Sequence, residues 1–573
     1  MKLTRRTAWG ATALAVGALA LASCSQAPDG GGDGEGSGEN EAIEASANDI
    51  NEMDVSELGQ GGTLRLANNA YPANWNGLHS DGNEVNTTQI LNAIYPTLYL
   101  YTAEGEVVPN PQYTKRLELI SEDPQVIEIE LNEGMTWSDG TPIDYTSIEN
   151  VFKVMDGSQE GYGIASSGGY DQVEKIEQGD NELTARVTFS EPYADWRGLA
   201  AVAPDSLVES ADAFNTSFLD EPAVTAGPYK VKELDAKNKT VLLEPDENWW
   251  GDPALLDQVL FTTIEDPAAS AASFQNGQLD VLDASVPAQY SVVEPMIGDG
   301  VVLRKAAGPN WSHITLNGSE GNQLEDVAIR QAIQKAFDRE EMFLAVNGTM
   351  PYPDDVVQQN NHLLMTNQDG YIDNAGDTAD GDIEGARAIL EEAGYEWDGD
   401  GNLLLEGEPL EIDYTYNDGS KTNEAVLPIV QENLAEIGIT VTERKVPPTD
   451  LFAKYVIPGD FDMTLFGWAG NPFLASGDTI WRTDGEQNFG KVGDETVDDL
   501  LAQAAVEADM DTRLDLMNQA DAEMWNLAGT VPLWQSYDFF VQDEDLANYG
   551  AWGFQMPDWT KIGYVAGSDN LEG

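Results

Sequence analysis

Leu410–Val446 reads LEIDYTYNDGSKTNEAVLPIVQENLAEIGITVTERKV. Leu410, Ile412, Tyr414 and Tyr416 alternate with Glu411, Asp413 and Thr415, the period-two pattern of a half-buried strand. Leu427, Val430, Leu434 and Ile437 then recur at helical spacing, and Gly438 supplies the residue type that most readily closes a helix. Ile439–Val446 reads as strand again. Strands alternating with helices argue an α/β sheet in this half of the chain.

Outward from this unit the same mixture continues without a tandem repeat. Gly61–Leu66 and Val126–Leu131 alternate like strands, and Ser138-Asp139-Gly140 follows as a turn. Thr146 and Glu149 have the spacing of a capping box, with Ile148, Val151, Phe152 and Met155 on one helical face behind them. Ile329, Ile333, Ala336 and Phe337 repeat at helix spacing after an Asp326 cap. Ile383, Ala386 and Leu390 do the same, with Gly394 as the stop. A strand is expected over Asp462–Phe466.

The N-terminus has a different character. Lys2, Arg5 and Arg6 precede an uncharged run, Trp9–Ala22, rich in Ala, Leu, Val and Gly. This is the layout of a secretory signal peptide, and the run is shorter than the roughly 20 residues of a membrane-spanning helix. Leu21-Ala22-Ser23-Cys24 resembles the bacterial lipobox, which implies that Cys24 becomes a lipid-bearing N-terminus. The Arg5-Arg6 pair leaves the export route open between the general and twin-arginine systems. Ser25–Gln60 holds ten acidic residues and no Lys or Arg, filled mainly by Gly, Ser, Asn and Ala. Such a segment buries too little apolar surface to offset its ordering entropy, so residues 24–60 are expected to be a flexible tether. Stable anchoring would need two or more acyl chains.

Beyond the tether the chain is long enough for two or three domains with real cores. Removing residues 1–23 takes away three basic and no acidic residues, and the remaining 25 basic and 101 acidic residues leave a formal charge of −76. That disfavours nucleic acid and anionic headgroups as direct partners, and a solvated acidic surface explains it. With Cys24 as the sole cysteine there is no disulfide framework.

Motifs for catalysis and cofactors fail one by one. His79, His313 and His362 show no metal-ligand spacing. Gly485-x4-Gly490-Lys491 imitates a phosphate loop, but Val492 stands where Ser or Thr must hold magnesium. Asp398, Asp400 and Asn402 look like calcium ligands, yet Leu403 replaces the turn glycine and Pro409 the bidentate Glu, so a hairpin loop is expected. No enzyme, metal or cofactor is expected.

Several blocks, in order along the chain, resemble the family 5 extracellular solute-binding proteins of ABC importers. They are Tyr95–Tyr99, Leu131–Pro142 with Asn132 where the family often has Arg, Ala226–Tyr229, Asn248–Gly251, Arg330–Ile333, and Phe461–Met463 with Gly467-Trp468. The likeness spans Gly61 to the C-terminus. Asp123–Val126 and Pro192–Trp196 bring it close to a subset of actinobacterial lipoproteins, some of them tied to cell-envelope mannolipid synthesis. The resemblance implies an α/β, two-lobed periplasmic-binding-protein fold of the class II-like, large peptide-binder type. It implies lobe I at residues 61–310, lobe II at 311–530, and a return to lobe I over 531–573. Two hinge crossings would lie near Pro309–Asn317 and Gly529–Trp534. It implies a monomer that closes on a small molecule or oligopeptide and docks on ABC permease subunits, lipid-anchored at the outer face of the cytoplasmic membrane. The alternative it keeps is an envelope lipoprotein of the same fold regulating glycolipid assembly.

On that fold, aromatics beside turn residues are the candidate ligand contacts, because Trp and Tyr supply rigid area with a polar tip. Tyr71, Asn74 and Trp75 follow the first strand, Asn310 and Trp311 stand at the first crossing, and Trp468 and Asn471 follow the strand Asp462–Phe466. Trp481 and Arg482 come shortly after. Ordinary core packing is the competing reading of each Trp. Many peptide binders of the family carry an Asp in the loop after that strand to pair with the peptide amine, whereas Trp468–Pro472 has none before Asp478. Either Asp478 reaches in or the ligand is not a free-amine peptide, since a buried ammonium needs a paired anion. Nickel lacks its expected imidazoles.

Overall fold

The computed structural model describes residues 48–298, 300–353 and 358–572. The signal sequence, Cys24 and the first part of the tether lie outside these residues.

Three sheets carry the architecture. Thr63–Asn68, Gln258–Thr263, Thr240–Pro245 and Tyr229–Asp235 form one four-stranded sheet, in that order, with only the first pair parallel. Thr114–Glu122, Gln125–Leu131, Thr184–Phe189 and Val173–Gln178 form a second, wholly antiparallel. The third has six strands in the order Val281–Asp283, Thr530–Asp543, Val301–Leu316, Met463–Ala469, Glu411–Asn417 and Thr440–Val446.

The strand–helix–strand reading of Leu410–Val446 is what forms. Glu411–Asn417 and Thr440–Val446 pair in parallel, joined by the helix Lys421–Glu436. Ile412, Tyr414 and Tyr416 are buried, as are Val426, Val430 and Leu434 of the helix. Gly438 turns the chain at φ +89°, where a Cβ would press on the Trp397 ring and the Gly401 carbonyl.

Two long strands, Val301–Leu316 and Thr530–Asp543, run side by side and antiparallel through the third sheet. Their ladder shifts register twice: Gly308, Pro309 and Asn310 stand opposite the single residue Ser536, and between Ser312 and His313 the partner strand carries one extra residue, Leu533. Gln535 Nε2 donates to the Gly308 carbonyl at 2.7 Å and to Asn367 Oδ1 at 2.8 Å, and Gly470 N donates to the Pro309 carbonyl at 2.7 Å. The strands pass between two large hydrophobic cores. The first draws on residues 50–281 and again on 546–564; the second draws on residues 314–534.

Three local expectations need correction. Residues Asn48–Gln60 are not tether: Ile50 is buried in the first core, Asp49 bridges to Ala551 and pairs with Arg304, and Val55–Glu57 forms a helical turn. Ile50 and Leu58 supply the apolar anchors that the preceding residues lack. The helix Tyr145–Met155 is capped by Asp144, whose carboxylate accepts from Thr146 N at 2.8 Å, and Glu149 pairs with Lys153 instead of closing a box. The strand expected to end at Phe466 continues to Ala469, because residues 310–316 pair with all of 463–469. Trp468 therefore stands on a strand. Asp398 does close a hairpin, its Oδ1 accepting from Asp400 N and Asn402 N.

Candidate functional site

One face of the six-stranded sheet builds the site. Trp311, His313 and Thr315 alternate onto it, and their antiparallel partners Trp468, Phe466 and Thr464 share it. The Trp468 ring lies nearly parallel to the His313 imidazole at 5.9 Å and to Phe489 at 6.0 Å. Phe466 meets His313 edge-on at 4.4 Å, and Trp311 stacks on Trp481 at 6.2 Å.

A cleft open to solvent lies over this face, with a cavity volume of only ≈ 30 Å³. Its walls are Phe466, Trp468, Trp481 and Phe489, with Thr315, His362 and Asn488 among the polar neighbours. The wall loop Gln487–Gly493 is stiff for local reasons. Asn488 Nδ2 donates to the carbonyls of Arg482 and Val492 at 3.0 and 2.9 Å, and Thr479 Oγ1 donates to Gln487 Oε1 at 3.1 Å. A Cβ at Gly490 would sit 2.9 Å from the Leu316 carbonyl, so only glycine lets the loop come this close to the sheet.

The two histidines under and beside the cavity have different environments. His362 Nδ1 lies 2.7 Å from Asp521 Oδ1 and Nε2 lies 2.9 Å from the Thr530 carbonyl, while Asn374 Nδ2 donates to the other Asp521 oxygen at 2.7 Å. Both side chains are fully buried. His313 is also fully buried, with Nδ1 3.2 Å from Thr315 Oγ1 and no hydrogen-bond partner at Nε2. Burial, with His362 as a smaller influence, pushes the His313 imidazole down to about 3, so it is neutral at physiological pH.

Beside the cavity the two cores meet along an aromatic seam. Tyr101, Trp311, Met365, Phe554 and Met556 are buried together, with Tyr99, Trp468, Phe473 and Trp481 packed against them. Phe473 meets Tyr99 and Tyr101 edge-on at 6.0 and 5.7 Å. A Cβ at Gly198 would stand 2.6 Å from the Phe473 ring, so this glycine admits the ring. A buried ion pair closes the seam: Arg513 Nη1 lies 2.6 Å from Asp195 Oδ1, both side chains 3% exposed. Ala194 N donates to the Ala505 carbonyl at 2.9 Å alongside it. The Asp195 loop is held from its own side by Gln125, which exchanges hydrogen bonds with both backbone groups of Tyr193.

The sequence candidates divide. Trp468 and Trp481 line the cavity, and Trp311 joins them through the stack on Trp481. Asn310 is exposed and pairs through its backbone with Ala469. Asn471 Oδ1 accepts from Phe473 N at 2.7 Å and so shapes the turn that aims Phe473. Asp478 opens the helical turn Asp478–Trp481, and its side chain lies outside the described set. Arg482 pairs with Asp484 at 3.6 Å and uses its carbonyl to hold the wall loop. Tyr71, Asn74 and Trp75 are placed elsewhere: Trp75 is buried in the first core, Tyr71 packs edge-on against it, and Asn74 caps the turn through Asn76 N. None of the three lines the cavity.

Sequence reading missed Phe466 as a lining residue, Phe489, His362, and the seam residues Tyr99, Tyr101 and Phe473. Phe489 sits inside the stretch that looks like a failed phosphate loop; Gly485 and Gly490 around it are close-approach glycines, which is the signal that was there. Among the described residues no group of three or more His, Cys, Asp or Glu side chains is placed to hold a metal ion. Among them, too, no helix is long and apolar enough to cross a membrane.

Comparison with known proteins adds three findings. The family model described as bacterial extracellular solute-binding proteins, family 5 Middle, matches residues 108–490. The chain is similar to the oligopeptide-binding protein OppA of Mycobacterium tuberculosis, 34% identical over 532 residues, covering 92% of this chain and 89% of that one. Two solved structures share the fold. A periplasmic EDTA-binding protein, EppA, superposes with a TM-score of 0.81 at 24% identity, over 92% of this chain and 100% of its own. The oligopeptide-binding protein AppA from Bacillus subtilis, solved with a nonapeptide, gives 0.69 at 20% identity, over 88% and 99%.

Proposed function

This chain belongs to the bacterial family 5 extracellular solute-binding proteins, and on that premise we propose that it captures an oligopeptide between two lobes and hands it to ABC permease subunits. The lobes are residues 61–310 with 531–573, and residues 311–530, joined through the two long strands. The observation that carries this reading is the aromatic seam drawn from both cores beside an open, aromatic-walled cleft. The cavity itself is lined by the second lobe alone, and a ligand extending from it to Tyr99 and Tyr101 of the seam would touch both lobes, which is the condition for ligand binding to favour closure. Members of the family bind solutes, and the reading assigns this chain no catalytic step, metal or nucleic acid.

The same reading places the mature chain outside the cytoplasmic membrane as a monomer, tethered by lipid on Cys24. Cys24→Ser is expected to leave the protein exported but shed into the medium, read by fractionation. Retention of that variant in washed membranes would count against the anchor.

Mass spectrometry of ligand released from the denatured, natively purified protein tests the function, together with uptake of that ligand in cells lacking the gene. A released peptide whose uptake depends on this chain supports the carrier reading. Intact uptake with altered envelope glycolipid would move the protein to the envelope role.

A further inference from the structure

We propose that His362 is a positioning residue for ligand capture: it clamps the corner at which a helix feeds the long strand Thr530–Asp543, and it sets the cleft-wall ring of Trp481 against that corner. Its purpose rests on the carrier reading, whereas the clamp itself is testable without ligand.

The corner is tight. The helix Met510–Leu527 ends and the strand Thr530–Asp543 begins with only Ala528 and Gly529 between them. Ala528 is left-handed at φ +51°, a conformation that its Cβ disfavours. A Cβ on Gly529 would stand 2.5 Å from the Val492 side chain, so the turn is pressed from outside as well. A backbone held this way keeps its direction only when the surroundings fix it.

His362 reaches both sides of the corner. On the helix side, its Nδ1 lies 2.7 Å from Asp521 Oδ1, and its backbone N donates to the same oxygen at 2.7 Å. Asn374 Nδ2 steadies the other Asp521 oxygen at 2.7 Å. On the strand side, Nε2 lies 2.9 Å from the carbonyl of Thr530, the first residue of the strand. A carbonyl oxygen only accepts, so Nε2 carries a proton. The short Nδ1–Oδ1 contact is made through a second proton. Both side chains are fully buried, where water does not compete for either bond.

The same ring meets the cleft. It lies edge to face with Trp525 of the helix at 4.9 Å and with Trp481 of the cleft wall at 5.3 Å. Trp481 stacks in turn on Trp311 of the other long strand. One imidazole therefore joins the wall, the helix and the start of a long strand. Residues at the ends of elements, as at this corner, are where hinge motion is absorbed. A ligand that presses on Trp481 presses, through His362, on that point.

The experiment starts with the ligand-free full chain, nitrogen-labelled at its three histidines and read by NMR. Two slowly exchanging protons are expected at the His362 ring, both lost in His362→Gln, and their absence would overturn the clamp. His362→Leu is expected to speed hydrogen exchange of the amides over residues 528–531 about 10-fold while the first lobe exchanges as before, the loss of one buried hydrogen bond read locally. Uniform loosening of the whole chain would show a general core role and overturn the clamp too. Calorimetry with a free-ended alanine pentapeptide carrying a central phenylalanine reads the purpose. His362→Leu is expected to weaken it about 10-fold, and His362→Gln, whose amide still offers one donor, to recover part of the loss. Unchanged affinity in the folded His362→Leu chain would overturn the positioning role. Failure of the unaltered chain to bind this peptide would count against the carrier reading, and the clamp then stands or falls on the ring protons and the local exchange.

Discussion

Tyr71–Asn76 and Gly467–Pro472 each set a tryptophan among proline, asparagine and alanine, and the two tryptophans end in opposite settings. Trp75 is 1% exposed in the first core, its backbone N donating to the Phe218 carbonyl while Asn76 Nδ2 donates to the Phe214 carbonyl. That loop is roofed by its own lobe. Trp468 stands half-buried on a sheet face, in line with Trp311 across the ladder, with a cavity in front of it. Turn residues beside an aromatic mark where the chain changes direction. Whether the ring then meets a core or a cavity is decided by segments far away in sequence, here residues 214–218 for one and residues 481–489 for the other.

Substitution separates the two settings, and the largest effect belongs to the core. Trp75→Ala is expected to cost about 3–5 kcal/mol of stability, read by urea denaturation, with ligand affinity of the folded fraction unchanged. A loss of affinity without a loss of stability would move Trp75 to the site side of the comparison.

Next comes the seam. Asp195→Asn leaves the Arg513 guanidinium buried without its anion, and removal of one partner from a buried pair costs roughly 3 kcal/mol or more. The cost is expected to fall on the form in which the lobes touch, so ligand should dissociate faster in stopped-flow while each lobe keeps its own secondary structure.

Trp468→Ala is expected to weaken ligand binding by about 2 kcal/mol with a smaller effect on folding, the reverse of the Trp75 result, read by calorimetry. Equal losses in both measurements would erase the contrast between the two tryptophans.

The effect that is smallest at neutral pH is titration, and it grows only as pH falls below about 6.5. An unfolded histidine protonates near its ordinary 6.5, whereas folded His313 resists protonation down to about 3. Between these values the unfolded chain binds the extra proton, so stability falls as pH falls, by up to ~1.4 kcal/mol per pH unit for this one group. His313→Gln is expected to flatten that part of the stability–pH curve. An unchanged slope would mean that other groups set it.

Local periodicity explains what the sequence discloses of the fold. Each segment of Leu410–Val446 carries its own period and stop, and the helices after Asp326 and before Gly394 do likewise. The Asp144 cap is overlooked because Thr146 and Glu149 have an equally good spacing two residues on, and only the Asp144 hydrogen bonds to Thr146 choose between them. Trp468 is legible as a cavity-lining residue because it follows a strand and precedes Gly470 and Pro472, and Trp481 because it comes shortly after. His362 is not: its partner Asp521 lies on a helix far along the chain, and nothing near either residue announces the pair. Tyr99, Tyr101 and Phe473 are invisible for the same reason, since a seam between two cores has no sequence period of its own.

The break in the ladder at Gly308–Asn310 gives the shared sheet the mechanics of a leaf spring filed thin at one point. A paired ribbon resists bending through its rungs, and here three residues face one, with Pro309 unable to supply an amide rung. Flexural strain therefore gathers at this notch. Two bonds brace it: Gly470 N donates to the Pro309 carbonyl at 2.7 Å, and the Gln535 amide donates to the Gly308 carbonyl, its own oxygen accepting from Thr366 N at 3.0 Å. A side-chain amide is a softer brace than a rung of backbone, so the Gln535 side of the notch is the more compliant of its two flanks.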